Sequence, residues 1–354
     1  MSGERLRIGI VCSRTTYELY FTQPDLDRLG RIADVEYAEI AVPDEAWSRP
    51  PEMPELEERL IGFVGDLDVL IVCHGAPYVS AAVIAAAPRL KIIGELEGDR
   101  FAHRIDVAAA RRADVMVLDT THSSSWPVSE WALALILVGL REHARFRDII
   151  AGQEMSHDDY RTTPPARELT GRTVGLIGFG RIAWRLREFL EPFRVRVVVH
   201  DPFAPRELAD ALHVDFASLD RVMQCEIVVC LAPATPTTTG MIGARELDLL
   251  PDGAVFVNVS RGVVVDRAAL EAKAARGDAW FALDAHDPEP IAVDTPLRGM
   301  RNVFLSPHIG GMTVEAQPRF FTLMVEELER FHEGVEPRAQ LTDRALRGRG
   351  AGGA

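Results

Sequence analysis

Cysteine is scarce, with four in 354 residues (Cys12, Cys73, Cys225 and Cys230) and no C-x-x-C pair among them. Such spacing gives no metal-binding signature. Three of the four lie within or at the ends of apolar, strand-like runs, where a free thiol packs as a small hydrophobe, so no metal site is expected. Long apolar runs are also missing. The longest, residues 131–140, falls far short of the roughly 20 residues that span a bilayer. The opening Met1-Ser-Gly-Glu-Arg-Leu-Arg7 has no apolar core of the signal-peptide kind. A cytoplasmic protein with no membrane partner is the expectation. Positive charge is in deficit: 39 Lys and Arg face 53 Asp and Glu, for a net charge of −14, and no basic block stands out. That balance argues against a nucleic-acid partner bound by phosphate neutralisation. No repeat at solenoid spacing is visible.

What is present is a globular composition, 47% hydrophobic and 26% charged, in a chain long enough for two domains. Strand-like runs at residues 6–12, 35–42, 67–73, 90–94 and 114–118 alternate with helical patterns at 23–29, 80–87 and 105–112. Such alternation implies a parallel sheet covered on both faces. A long helical pattern follows from 128 to about 150, with Ser129 and Glu130 at its opening, and then a polar arm from 151 to 170. Further strands are expected at 174–177, 195–200, 226–231, 254–259, 280–283 and 302–305, and a last helix at 313–331. The stretch from Gly334 onward, rich in Gly and Arg, reads as a disordered tail, most clearly over 341–354.

The second series of strands opens with the most informative stretch, Thr173-Val-Gly-Leu-Ile-Gly-Phe-Gly-Arg-Ile-Ala183. A short apolar strand ends in Gly178-Phe-Gly180-Arg-Ile-Ala183, which fits G-x-G-x-x-G/A, and a helical pattern begins at once. Gly178 allows a tight turn, Gly180 a close approach of backbone to a pyrophosphate, and Ala183 close packing of helix on strand. The N–H groups of the helix N-terminus then face the phosphates. A second strand ends at Asp201, 18 residues beyond Ala183. A carboxylate there accepts hydrogen bonds from a ribose and repels a 2′-phosphate, which favours NAD over NADP.

Three polar sites follow later strands, on the side where open α/β sheets hold ligands. They are Asn258-Val-Ser-Arg-Gly262, the stretch 282–290 with Asp284 and Glu289, and Leu305-Ser-Pro-His-Ile-Gly-Gly311. Oxidising a secondary alcohol needs a base for the hydroxyl proton, and a histidine titrates in the right range. A carboxylate steadies its imidazolium, and a guanidinium grips a carboxylate at two points. Arg261, Glu289 and His308 supply these parts. His286 and Asp287 stand close by without an expected role, His200 flanks the nucleotide side, and Trp126, Trp131 and Tyr78 read as packing residues.

Together these motifs, with Ala232-Pro-Ala-Thr-Pro-Thr-Thr-Thr-Gly-Met-Ile242, resemble the NAD-dependent D-isomer-specific 2-hydroxyacid dehydrogenases over roughly residues 60–335. The resemblance implies two doubly wound parallel-sheet domains, Rossmann-like and flavodoxin-like, with a cleft between them. It places residues 1–124 with 313–340 in a discontinuous substrate domain and 125–312 in an NAD-binding domain. It implies catalytic roles for Arg261, Glu289 and His308. Gly178, Gly180, Arg181, Ile182, Asp201, Ala232, Pro233, Val259, Asp284, His308 and Gly310 become cofactor contacts, with Asp284 near the carboxamide. Gly75 and Ala76 match a loop whose N–H groups hold a substrate carboxylate. The expected reaction is reversible reduction of a 2-oxo acid to a D-2-hydroxy acid by a homodimer. Phosphite oxidation and NAD(H) sensing without turnover are the alternatives; formate is disfavoured because formate dehydrogenases generally carry glutamine where Glu289 stands. No room is expected after Phe331 for a regulatory domain. One departure is the charged segment Glu95-Leu-Glu-Gly-Asp-Arg-Phe-Ala-His-Arg-Ile-Asp106, where Arg100, His103 or Arg104 is a candidate second anion-binding group for a dianionic substrate.

Overall fold

A computed structural model describes residues 5–42, 49–97, 102–141, 144–153, 156, 166–342 and 346. The chain divides into two compact units, Met1–Ser124 with Val314–Arg347, and Ser125–Thr313.

The first unit is built on five parallel strands: β1 (Leu6–Val11), β2 (Ala33–Ala38), β3 (Val69–Val72), β4 (Ile92–Glu95) and β5 (Met116–Asp119). Their order is β2-β1-β3-β4-β5, so the chain reverses direction across the sheet between β1 and β3. Side chains alternate between the faces. Leu70, Val72 and Ile93 pack under the helices Pro54–Val64, Ala81–Ala85 and Val107–Arg112. Ile8, Ile10, Ile71 and Ile92 face the other way, against the helices Arg14–Tyr20 and Gln23–Leu29 and the last helix, Ala316–His332. That last helix buries Phe320, Phe321, Met324, Val325 and Leu328. At ~1.5–3 kcal/mol per buried apolar side chain, it contributes on the order of 10 kcal/mol of gross burial to this face.

The second unit has seven strands: β6 (Thr173–Ile177), β7 (Arg196–His200), β8 (Asp215–Phe216), β9 (Ile227–Cys230), β10 (Val255–Asn258), β11 (Trp280–Leu283) and β12 (Val303–Leu305). They are all parallel, in the order β12-β11-β10-β9-β6-β7-β8. The direction of winding reverses beside β6, whose C-terminal end carries the glycine fingerprint. The helix Ser125–Leu140 is apolar nearly all round and is sandwiched between β10, β11 and the helix Arg181–Leu190, as expected of an interior helix.

Four local expectations are corrected. The stretch expected as one helix from 128 to about 150 forms two, Ser125–Leu140 and Ala144–Ile150. The carbonyl of Leu140, which a continuing helix would use, accepts the N–H of Arg167 at 2.8 Å. The helix also opens at Ser125 rather than near Ser129, with Pro127 in its first turn, where a missing N–H costs nothing. The helices Arg14–Tyr20 and Pro54–Val64 and the short β8 were not expected. Finally, residues 334–342 are not a free tail. Ala339 and Leu341 are buried, and the segment pairs with β5 through Asp119 N–H to Ala339 O (3.0 Å) and Leu341 N–H to Val117 O (2.9 Å). The buried carboxylate of Glu327 accepts the N–H groups of Arg338 and Ala339, which anchors the segment over an otherwise open sheet edge. Apart from Leu346, the rest of the expected tail lies outside the described residues.

Among the described residues no helix is long and apolar enough to cross a membrane, and no group of His, Cys, Asp and Glu could hold a metal ion. All four cysteines are free and buried.

Candidate active site

The C-terminal edge of the seven-stranded sheet gathers most of the residues singled out by the sequence. Gly178 leaves β6 with φ +92°, and a Cβ there would lie 2.9 Å from the backbone of Leu231 and Ala232. The turn after β6 is thus pressed against the turn after β9, a close approach that only glycine permits. Gly180 caps the helix Arg181–Leu190 without a side chain, so the cap itself supplies no side-chain acceptor to the N–H groups of the first turn. Asp201 ties this turn to the end of β7. Its Oδ2 accepts the N–H of Phe179 at 2.8 Å, and its Oδ1 accepts those of Phe203 and Ala204 at 2.8 and 3.0 Å. Arg181 is exposed, Ile182 half-buried, Ala232 and Val259 buried, and Pro233 exposed. A helix end without a capping side chain and a carboxylate at the neighbouring strand end fit a dinucleotide.

On the same edge His308 and Glu289 meet, with Nδ1 2.9 Å from the glutamate Oε2. A carboxylate can only accept, which puts an imidazole proton on Nδ1 and leaves Nε2 as the nitrogen that can give or take a proton. His308 holds φ at +54°, a left-handed conformation that costs a non-glycine residue on the order of 1 kcal/mol. Asp284 supports it from below. Its Oδ1 accepts Ser306 Oγ–H (2.6 Å) and Ile309 N–H (3.0 Å), and its Oδ2 accepts Gly310 N–H (2.9 Å). The expected contact of Asp284 to a cofactor therefore shares the carboxylate with three bonds that hold the His308 turn. Trp131 Nε1 donates to Ser306 Oγ at 3.2 Å and backs the arrangement.

Arg261 reaches this edge from β10. Asn258 shapes its loop by accepting Ser260 N–H and donating to Arg261 O, both at 3.0 Å, and Ser260 Oγ donates to Ala232 O. The next residue is Gly262, where a Cβ would sit 1.9 Å from the carbonyl carbon of His286. That contact packs the Arg261 loop directly on the loop of Glu289. His286 is buried and bound to Ser306 O at 2.7 Å, an architectural part, and His200 Nδ1 likewise meets Ala217 O. Trp126 lies under the guanidinium of Arg185 and Tyr78 under that of Arg49.

In the first unit, Gly75 and Ala76 follow β3, beside the reversal of winding between β1 and β3, where open sheets bind ligands. Ser13 N–H donates to His74 O (3.0 Å) and Val42 N–H to Gly75 O (2.8 Å). Ala76 N–H is turned inward to Cys73 O (2.9 Å), which removes it from the expected pair of donors. The N–H of Gly75, at φ +85°, has no hydrogen-bond partner among the described residues.

Arg104 is also corrected as a free anion-binding group. It is 3% exposed, and its guanidinium meets Glu95 at 2.6 Å and His74 Nδ1 at 2.7 Å. His103 is exposed, and Arg100 lies outside the described residues. No local pattern in the sequence marks these partners, nor the supporting roles of Ser306 and Trp131. For Asn258 a sign existed, since an Asn two residues before a Ser at a strand end is an Asx-turn pattern.

Comparison with known proteins agrees with this layout. Residues 133–310, half of the chain, match the family model described as D-isomer specific 2-hydroxyacid dehydrogenase, NAD binding domain. The chain is 30% identical over 283 residues to a D-3-phosphoglycerate dehydrogenase of Archaeoglobus fulgidus, covering 79% of this chain and 52% of that one. It spans about half the length of the phosphoglycerate dehydrogenases it matches. With a glyoxylate reductase of Aeropyrum pernix it shares 30% identity over 300 residues, 83% of this chain and 88% of the relative. The fold is that of the apo D-mandelate dehydrogenase of Rhodotorula graminis, with TM-score 0.79 at 21% identity over 96% of this chain and 98% of that one. The motifs at the ends of β6, β10, β11 and β12 fall within the matched region, and the chain belongs to the D-isomer specific 2-hydroxyacid dehydrogenase family.

Proposed function

We propose that the protein reversibly reduces a 2-oxo acid to a D-2-hydroxy acid with NADH, using His308, Glu289 and Arg261. The observation that carries this reading is the His308–Glu289 pair at 2.9 Å on a turn held by Asp284. A bound nicotinamide would supply the hydride. Nε2 of His308 hands its proton to the carbonyl oxygen as that oxygen becomes the hydroxyl, and takes it back in the reverse direction. Glu289 stabilises the imidazolium and keeps the ring oriented. Arg261 pairs with the substrate carboxylate and polarises the adjacent carbonyl. In the first unit, the family resemblance makes the Gly75 N–H a carboxylate donor in its own right.

Relatives named glyoxylate reductase and hydroxypyruvate reductase support a short 2-oxo acid. The ion pair of Arg104 with Glu95 removes one support for a dianionic substrate. A homodimer is proposed on the family resemblance, and a reducing, cytoplasmic setting suits four buried free thiols.

The test is NADH oxidation, followed by absorbance, across glyoxylate, hydroxypyruvate, oxaloacetate and phosphonopyruvate, with wild type and His308→Ala. Turnover by wild type that drops by about 10²–10⁴-fold in the variant is expected, since that is the usual contribution of a positioned acid–base group. Wild type that binds NADH and turns over none of these acids would refute the reading.

A further inference from the structure

Glu95, Glu97 and Arg104 of the charged segment belong to a buried polar network that the proposed chemistry does not use. Tyr20, from the helix Arg14–Tyr20, donates its O–H to Glu97 Oε2 at 2.5 Å. The same oxygen lies 2.9 Å from His74 Nε2, and His74 Nδ1 lies 2.7 Å from Arg104 Nη2. Arg104 Nη1 donates to Glu95 Oε1 (2.6 Å) and to the Glu97 carbonyl (3.0 Å). Tyr20 also meets the His74 ring edge-on and stacks on Phe320.

The donors and acceptors of this chain can be assigned without ambiguity. A guanidinium only donates, so Nδ1 of His74 accepts and its proton resides on Nε2, directed at Glu97. Burial alone would raise the Glu97 carboxyl, but the bonds from His74 and Tyr20 and the charge of Arg104 hold it below the usual carboxylate range. Burial likewise opposes the charge on Arg104, and Glu95 beside it more than restores it. Arg104 thus stays a fixed cation at the centre of the network.

Its position matters because it grips both ends of one loop. Its side chain holds His74, the residue before Gly75, while its backbone carbonyl accepts Val79 N–H at 2.7 Å and Asp106 N–H donates back to Val79 O at 2.9 Å. Between these two points lie Gly75 and Ala76, at the ligand-binding reversal of the sheet. A free turn at the end of β3 would need only the bonds from Ser13 and Val42; a five-residue polar network drawn from four separate segments is more than a turn requires.

We propose that Arg104, acting through His74 and Glu97, is the positioning residue that aims the Gly75 N–H at the substrate carboxylate. The proposal rests on the 2-oxo acid reading given above. It makes Arg104 a brace for substrate affinity instead of a second anion-binding group.

The experiment compares wild type with Arg104→Met, Arg104→Lys and Tyr20→Phe, on the 2-oxo acid that wild type turns over best. Arg104→Met is expected to raise KM by about tenfold or more with kcat within about threefold, the pattern of lost uniform binding. NADH affinity, read by fluorescence, stays unchanged because the nucleotide site belongs to the other unit. Arg104→Lys is expected to give an intermediate KM, since an ammonium lacks the planar fork that reaches Glu95 and His74 together. It also keeps the test open if the methionine variant fails to fold. Long-range proton–nitrogen NMR of the imidazoles adds a readout that a purely structural role would not move. His74, assigned with His74→Asn, should be the Nε2–H tautomer in wild type and lose that signature in Arg104→Met. Unchanged KM, or kcat falling in step with rising KM, overturns the proposal alone. Wild type that turns over no 2-oxo acid overturns the functional reading and this proposal with it, a result the variants cannot mimic.

Discussion

Asp201 is proposed to serve both fold and selectivity. Its three backbone bonds hold the fingerprint turn to the end of β7, while its charge is proposed to repel a 2′-phosphate. Asp201→Ser is expected to improve NADPH binding by about tenfold or more relative to NADH, equivalent to ~1.4 kcal/mol. Paired fluorescence titrations of the two nucleotides measure it, and an unchanged ratio would show that the charge does not select. The residues proposed to do chemistry stand out in the sequence because each sits in a short motif that follows an apolar strand. The residues that support them do not. Gly262 is one glycine among 27 until the loop of His286 is seen against it. Arg104 reads in the sequence as a candidate anion-binding group, because its partners Glu95 and His74 stand 9 and 30 residues away and no local pattern records such pairings.

At the scale of elements, the strands were legible and the helices less so. Parallel strands buried on both faces appear as runs of Val, Ile and Leu, and these runs located β1, β3, β6, β9 and β10 within a residue or two. Helix ends depend on where individual carbonyls find donors, as with Leu140 and the N–H of Arg167. The segment 334–342 is a sharper case. Its composition is that of a tail, yet Glu327 holds it across β5 through two backbone N–H groups. Glu327→Ala is expected to release it locally, at a cost of about 1–3 kcal/mol for the lost charge-assisted bonds. Hydrogen exchange should then accelerate at Asp119 and Leu341, the two amides that pair the segment with β5. Exchange that stays slow would mean the pairing stands without the carboxylate.

For the molecule as a whole, the buried thiols give a pH signature in both units. Burial raises Cys12 in the first unit and Cys230 in the second, each from 9.0 to about 12. A group whose pKa is raised on folding favours the native state fully below its unfolded value and loses that contribution as pH climbs to the folded value. Stability should therefore fall between pH 9.0 and about 12, as the unfolded chain releases protons that the native chain retains. Denaturant midpoints taken across that range test this, and Cys12→Ala with Cys230→Ala should flatten the slope. An equally steep slope in the double variant would assign the loss to other groups.

The discontinuous first unit also has a history in time. A ribosome releases β1 to β5 well before it makes Phe320, Phe321, Met324, Val325 and Leu328, the side chains that cover one face of their sheet. The intervening seven-stranded unit, by contrast, is continuous and can close as soon as it emerges. Synthesis order and completion order are thus inverted: the part made first waits, with the face of Ile8, Ile10, Ile71 and Ile92 covered only by the helices Arg14–Tyr20 and Gln23–Leu29, until nearly the last helix leaves the tunnel. During that interval the nascent chain carries an open apolar sheet face, the kind of surface on which chaperones act and aggregates begin.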